Sequence, residues 1–271
     1  MLLRILSPLV ALAISAAECS LAKSGTVYVT PHSQFSSSIG VLGCKVDTNR
    51  IAYWPICRAF SFQYPFISQY YLRTDRILTM ILIGPDCTDM CIKLTFGSRS
   101  RTILHIDTSG GNYDISFDTF QYLAFDSKAT ASPAILNANA GANMDYEIVD
   151  MSECSDIITS DTGKLSFIAV SPNQVNSCME QSSSWVAENY EMRNIANSQC
   201  QYGIDEVCTL DSTTGTCTCP SGVGTDGNVA LAPAQPVIDY IAPCGVTATA
   251  GGAEPVGNQC SMVTQTPDPS S

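Results

Sequence analysis

Residues 91–118, CIKLTFGSRSRTILHIDTSGGNYDISFD, constrain the fold more than any other stretch of this chain. Ile92 to Phe96 alternates apolar and polar, and so does Thr102 to Ile106. Gly97-Ser98-Arg99-Ser100 between them has the composition of a hairpin turn. A second turn, Gly110-Gly111, follows with a carboxylate on each side, Asp107 and Asp114. Ser116 is then placed to cap a helix whose apolar positions Phe117, Phe120, Leu123 and Ala124 fall on one stripe. The order strand, turn, strand, glycine turn, helix predicts a mainly β domain.

The flanking sequence extends that domain. Gly25–Thr30, Ile39–Cys44 and Asp145–Asp150 read as further strands, Asp47–Arg50 as a turn followed by Ile51-Ala-Tyr-Trp-Pro55, and residues 129–143 as a loop of small residues and asparagines. Residues 56–84 break the pattern, with six aromatics, three arginines and one acid. Three readings fit them: an aromatic arm that contacts a glycan or a membrane surface, an insertion packed on the domain, and a stretch translated from an unspliced intron. Beyond residue 156 the character changes. Ser182 to Ile195 reads as a serine-capped helix with cysteines 178, 200, 208, 217 and 219 around it, so residues 156–219 are predicted to form a disulfide-tied helical appendage. Residues 220–271 are rich in Gly, Ala, Pro, Thr and Ser. They hold too few large apolar groups to offset their ordering entropy, and a mostly disordered tail is predicted.

The N-terminus sets the compartment. A short basic start at Arg4, an apolar run from Ile5 to Ala17 and small residues before Lys23 make residues 1–22 a secretory signal peptide. Cleavage after Ala22 removes Cys19 and leaves 12 of the 13 cysteines. Abundant cysteine on an exported chain predicts disulfides rather than metal ligands. With only His32 and His105 as histidines, no metal and no cofactor is expected. Charge is lopsided: residues 1–128 carry 11 Lys and Arg against 9 Asp and Glu, and residues 129–271 carry 2 against 16. An acidic surface lacking clustered cations argues against nucleic acid and against anionic membranes as partners. The acidity itself serves solubility, and a monomer is expected.

Five landmarks then occur in order: Gly43-Cys44, Asp86-Cys87, Cys91-Ile-Lys-Leu-Thr-Phe-Gly97, Ile106-Asp107-x-x-Gly110-Gly-x-Tyr113-Asp114-Ile-Ser116, and Val149-Asp-Met-Ser-Glu-Cys154. This pattern resembles the barwin-like double-psi β-barrels, nearest to the secreted fungal cerato-platanins and more distantly to expansins and barwin-like endoglucanases. The resemblance covers residues 25–155. It implies a six-stranded double-psi β-barrel with one short helix over residues 23–155, with 56–84 as an insertion foreign to the family. It also implies the disulfides Cys44–Cys87 and Cys91–Cys154, although three residues separate Cys87 from Cys91 here where the family has two.

The same resemblance directs attention to the glycine turn. Asp114 matches the acid aspartate of expansins and barwin-like endoglucanases, and Asp107 the aspartate before the turn. Inverting hydrolysis of a glycosidic bond needs a second carboxylate to activate water. The most similar run here is Tyr53-Trp54-Pro55, with proline where that base would stand. Asp114 is therefore a candidate acid. Asp107, Tyr113, Tyr53, Trp54 and His32 are candidate binding residues, while turn aspartates also commonly hold backbone N–H groups. His105 lies between apolar neighbours and reads as a packed side chain. The favoured reading is a secreted, cell-wall-associated protein that binds polysaccharide or chitin oligomers without strong hydrolytic activity. Two alternatives stand beside it: a weak glycan-cleaving hydrolase or lytic transglycosylase using Asp114, and a non-catalytic effector or elicitor scaffold.

Overall fold

A computed structural model describes residues 23–32, 35, 37–55, 87–109, 112–131, 133–181, 183–224, 229–235, 237–241, 246–249 and 262–270. The expected signal sequence, the 56–84 stretch and the expected Gly110-Gly111 turn lie outside the described residues. The first half contains β1 (Ser24–His32), β2 (Ile51–Pro55), β3 (Cys91–Phe96), β4 (Arg99–Ser109), β5 (Tyr113–Ser116), helix α1 (Phe117–Phe125), β6 (Ala134–Asn137) and β7 (Ala142–Ile148). Six of these strands close a barrel in the order β1-β5-β2-β4-β3-β7. Pairing is antiparallel except for β1 with β5 and β2 with β4, which are parallel. Closure removes the open edges this six-stranded sheet would otherwise have.

Alternation explains the barrel's filling. Val29, Ala52, Trp54, Leu94, Ile103, Ile115 and Met144, drawn from all six strands, form one buried cluster with Phe120 and Leu123 of α1. Along β7 the residues alternate strictly between buried and exposed, as a strand with one solvated face should. β4 is different: Ile103 to Asp107 are all buried. Its outward residues Leu104 and Ile106, with Ile51 and Tyr53 of β2, belong to a second cluster shared with the C-terminal half.

That half contains β8 (Leu165–Ile168), α2 (Asn173–Met179), α3 (Trp185–Glu188), β9 (Tyr190–Ile195), β10 (Gly203–Asp211) and β11 (Thr216–Thr218), then β12 (Ile238–Ile241), β13 (Val246–Thr249) and β14 (Met262–Gln265). Strands β8 to β11 form a four-stranded sheet in the order β11-β10-β9-β8. The expected helix over 182–195 is thus corrected to one turn followed by a strand. Ser184 caps the turn, its Oγ accepting from Ala187 N at 3.1 Å. The strand signal was masked because β9 is buried on both faces while carrying Glu191, Arg193 and Asn194. Polar residues of this kind ordinarily mark an exposed helix face, and they are buried here because they pair with one another and with neighbouring strands.

Two further expectations change. Ile39–Cys44 is not a strand but a loop joined to β8 by a single bridge, Val41 to Phe167, and ending in a 3-10 turn at Gly43–Lys45. The disulfide Cys91–Cys154 forms, but Cys44 pairs with Cys200 and Cys87 with Cys178. Both Cys44 and Cys87 lie on the side of the barrel that meets the C-terminal half, so each finds its partner across that seam. Within residues 220–271 the described parts make backbone contacts with the rest of the chain. Leu231 N donates to Gln201 O and Gly203 N to Val229 O, Leu231 and Val237 are buried, and β14 pairs with β6. Among the described residues no helix is long and apolar enough to cross a membrane.

Arg193, one of only two cations after residue 128, is 4 % exposed. It donates to Glu191 Oε1 at 2.8 Å, Asp205 Oδ1 at 2.9 Å and Asp161 Oδ1 at 2.5 Å. Lys45 of the barrel side reaches Asp205 Oδ2 at 2.9 Å. Burial by itself would raise the pKa of the Glu191 and Asp205 carboxyls. Their hydrogen bonds and charge partners outweigh it, and both carboxyls end below their ordinary 4.5 and 3.8. A carboxyl that is a stronger acid in the folded state stabilises the fold while ionised, and that contribution disappears as the pH falls through its folded value. Stability should therefore hold above about pH 5 and drop steeply below about pH 4, an acid limb that chemical denaturation across pH would display. Arg193→Met leaves carboxylates buried without their partner and should cost about 3–5 kcal/mol at neutral pH. Removing the cross-seam disulfide by Cys44→Ser with Cys200→Ser should lower unfolding stability by about 2–5 kcal/mol, measured by denaturant titration.

Candidate functional site

Register builds the site. Tyr53 of β2 is paired on one side with Asp107 of β4 and on the other with Asp114 of β5, and Asp114 is paired with Thr30 of β1. Partners in adjacent strands project to the same face of a sheet. Asp107, Tyr53, Asp114 and Thr30 therefore form a row across four strands on the outer face. A register shift between β2 and β4 lets Ala52 oppose His105 while the next residue, Tyr53, opposes Asp107. The extra residue on β4 is Ile106. A bulge of this kind turns consecutive side chains the same way, so that Ile106 enters the shared core while Asp107 reaches the rim.

The row forms the floor of a groove of about 510 Å³. His32, Ser109 and Thr108 also line it, as do Ser37 and Ser38 of the loop after β1 and Ser198 and Gln199 of the loop after β9. The ring of His32 stands edge-on to Tyr53 with centroids 4.9 Å apart.

The two aspartates are held differently. Asp107 is 4 % exposed and its oxygens are occupied. Ser38 Oγ donates to Oδ1 at 2.7 Å, Thr108 N to Oδ1 at 2.7 Å, and Ser38 N to Oδ2. It fastens the 37–41 loop to β4. Asp114 is half-buried, its Oδ1 accepts from Thr30 Oγ1, and it borders open space. A ligand in the groove meets one available carboxylate, hydroxyls, an amide, an imidazole and the edge of a phenol.

Alternation sends the other two aromatics inward. Trp54 is 0 % exposed and packs edge-to-face on Tyr113, centroids 4.6 Å apart, in the barrel interior. Tyr113 is paired with the interior Val29. The structure thus brings Asp114, Asp107, Tyr53 and His32 to one groove and leaves Trp54 and Tyr113 in or against the core, where they cannot face a ligand in that groove. His105 is buried, its Nε2 2.9 Å from the backbone oxygen of Asp107. Residues that sequence reasoning missed are Thr30, Ser37, Ser38, Thr108, Ser109, Ser198 and Gln199. For Thr30 the alternation of its strand offered a signal, whereas Thr108 is paired with the inward-facing Trp54 and alternation alone gives no sign that it lines the groove. For Ser198 and Gln199, about 90 residues away from Asp107 in the chain, there was none.

Among the described residues no group of three or more His, Cys, Asp or Glu side chains is placed to hold a metal ion. The chain matches no protein-family model, no curated protein and no solved structure.

Because Asp107 accepts from both the backbone and the hydroxyl of Ser38, Asp107→Ala should cost about 1–3 kcal/mol by leaving a part-buried backbone N–H without its acceptor. Asp114→Asn should leave thermal stability within about 0.5 kcal/mol of wild type, in keeping with substitutions away from buried features. Differential scanning calorimetry of the two variants distinguishes a structural aspartate from an available one.

Proposed function

We propose that the protein is exported and binds polysaccharide at the cell wall, in the groove floored by Asp114 and Tyr53, without strong hydrolytic activity. The observation that carries this reading is the unequal state of the two carboxylates. Cleavage with inversion needs an acid and a base, both free to exchange protons. Asp107 is committed to Ser38 and Thr108, and only Asp114 remains open. One open carboxylate among hydroxyls suits hydrogen bonding to sugar hydroxyls. The six-stranded closure with its two parallel strand pairs supports assignment to the double-psi type, and so to a likeness with cerato-platanins and expansins. The four described disulfides fit an oxidising, extracellular setting.

Retention on insoluble chitin, cellulose and β-glucan tests the proposal. Wild type should be retained on at least one, and Asp114→Asn should bind about tenfold more weakly, the worth of one charge-assisted hydrogen bond. No retention on any polymer, with Asp114→Asn indistinguishable from wild type, would overturn it. Reducing or anhydro-sugar ends that appear with wild type and vanish in Asp114→Asn would show a cleaving enzyme instead.

A further inference from the structure

The groove is not built by the barrel alone. Ser198 and Gln199 belong to the C-terminal half, yet they line the same cavity as Asp114 and Tyr53. We infer that this two-residue segment is the specificity-determining wall of the groove, and that the ligand it selects is a neutral, hydroxyl-rich glycan rather than a uronic-acid polymer. The inference rests on the polysaccharide-binding reading and names the class of ligand.

The loop is fixed before any ligand arrives. Gly43 N donates to Ser198 O at 2.8 Å, and the next residue, Cys44, is disulfide-bonded to Cys200. Within the loop, Cys200 N donates to Asn197 O at 3.0 Å, Gln201 N to Asn197 Oδ1 at 2.8 Å, and Ala196 N to Tyr202 O at 2.8 Å. Cys200 itself has φ +56°, a left-handed conformation that the disulfide and these bonds hold in place. The backbone is committed, while the side chains of Ser198 and Gln199 remain half-exposed toward the cavity. A wall ordered in advance adds contacts at little entropic cost on binding.

Its chemistry sets the ligand class. Among the described residues the lining holds two aspartates and no lysine or arginine, on a chain whose net charge is −12. Recognition of a carboxylated sugar requires a cation to pair with it, and like charges across a binding face are costly. Gln199 instead offers an amide that donates and accepts at once, which complements a sugar hydroxyl doing the same. Rejection of anionic chains by Asp114 and orientation of neutral ones by Gln199 act at one place.

The test compares neutral oligosaccharides (cello-, chito- and β-1,3-gluco-oligomers) with oligogalacturonate, by calorimetric titration of wild type, Ser198→Ala, Gln199→Ala, Gln199→Lys and Asp114→Asn. Wild type should bind a neutral oligomer and not the oligogalacturonate. Gln199→Ala should lose about tenfold in affinity, the worth of a hydrogen bond left unmade, and Ser198→Ala should be weakened in the same direction. Gln199→Lys should acquire measurable, salt-sensitive binding of oligogalacturonate. Melting temperatures near wild type identify the variants that retain the fold. Oligogalacturonate binding by wild type, or Ser198 and Gln199 variants that all match wild type while Asp114→Asn is weakened, would overturn this inference and leave the binding groove standing. Failure of every protein, wild type included, to bind any glycan would remove both.

Discussion

The structure depends on the seam between the barrel and the C-terminal sheet. The outer faces of β2 and β4 are apolar where Ile51, Leu104 and Ile106 emerge, and a barrel standing alone would expose them to water. Phe167, Met192 and Ile195 of the C-terminal sheet cover that surface to form a single core with them. The disulfides Cys44–Cys200 and Cys87–Cys178 span 156 and 91 residues of sequence across this seam. Crosslinks closing loops that long remove about 4–5 kcal/mol of unfolded-state freedom each in the chain-entropy account. The two halves are therefore one folding unit, and the cysteine partners follow the buried surface rather than proximity in sequence.

Charge is managed at the same seam. The C-terminal half is strongly acidic, which keeps the chain soluble but opposes compaction through self-repulsion. Its scarce cation Arg193 is placed inside, where it neutralises carboxylates of Glu191, Asp205 and Asp161, and Lys45 adds a cation from the barrel side. An ion cluster of this kind contributes less to net stability than its short distances suggest, because each ion had to be desolvated. Its more evident role is positional: Lys45 follows Cys44, so the 43–45 turn is tied to the C-terminal half by a backbone bond, a disulfide and an ion pair in successive residues. Those ties also carry the Ser198–Gln199 loop to the groove.

The groove itself follows from strand geometry. Pairing places Asp107, Tyr53, Asp114 and Thr30 in one row, and alternation removes Trp54 and Tyr113 from it. Local hydrogen bonding then separates two chemically identical side chains. Asp107 becomes part of the scaffold through Ser38, and Asp114 is left facing the ligand space. That separation is what the proposed binding role rests on.

Much of the barrel was legible in the sequence, because β3, β4, the β4 hairpin turn and α1 are specified by local patterns: alternation, a glycine turn and a helical stripe. The row of candidate residues was legible only in part. Sequence alone brings Asp107, Asp114 and Tyr53 to attention, but which member of the Tyr53-Trp54 pair faces out depends on register and on the bulge at Ile106. The C-terminal sheet was hidden because β9 buries paired charges, which look like solvent-exposed residues until their partners are known. Cysteine pairing was equally hidden, since Cys44 and Cys87 are each matched with residues beyond 170 that no local rule connects to them. The sequence by itself determined the elements of the barrel, the cysteine-rich character and the lopsided charge, all of which are local or additive properties. Tertiary structure alone decided the disulfide partners, the fate of each aspartate and the contribution of Ser198 and Gln199 to the groove, because each of these is set by contacts between segments far apart in the chain.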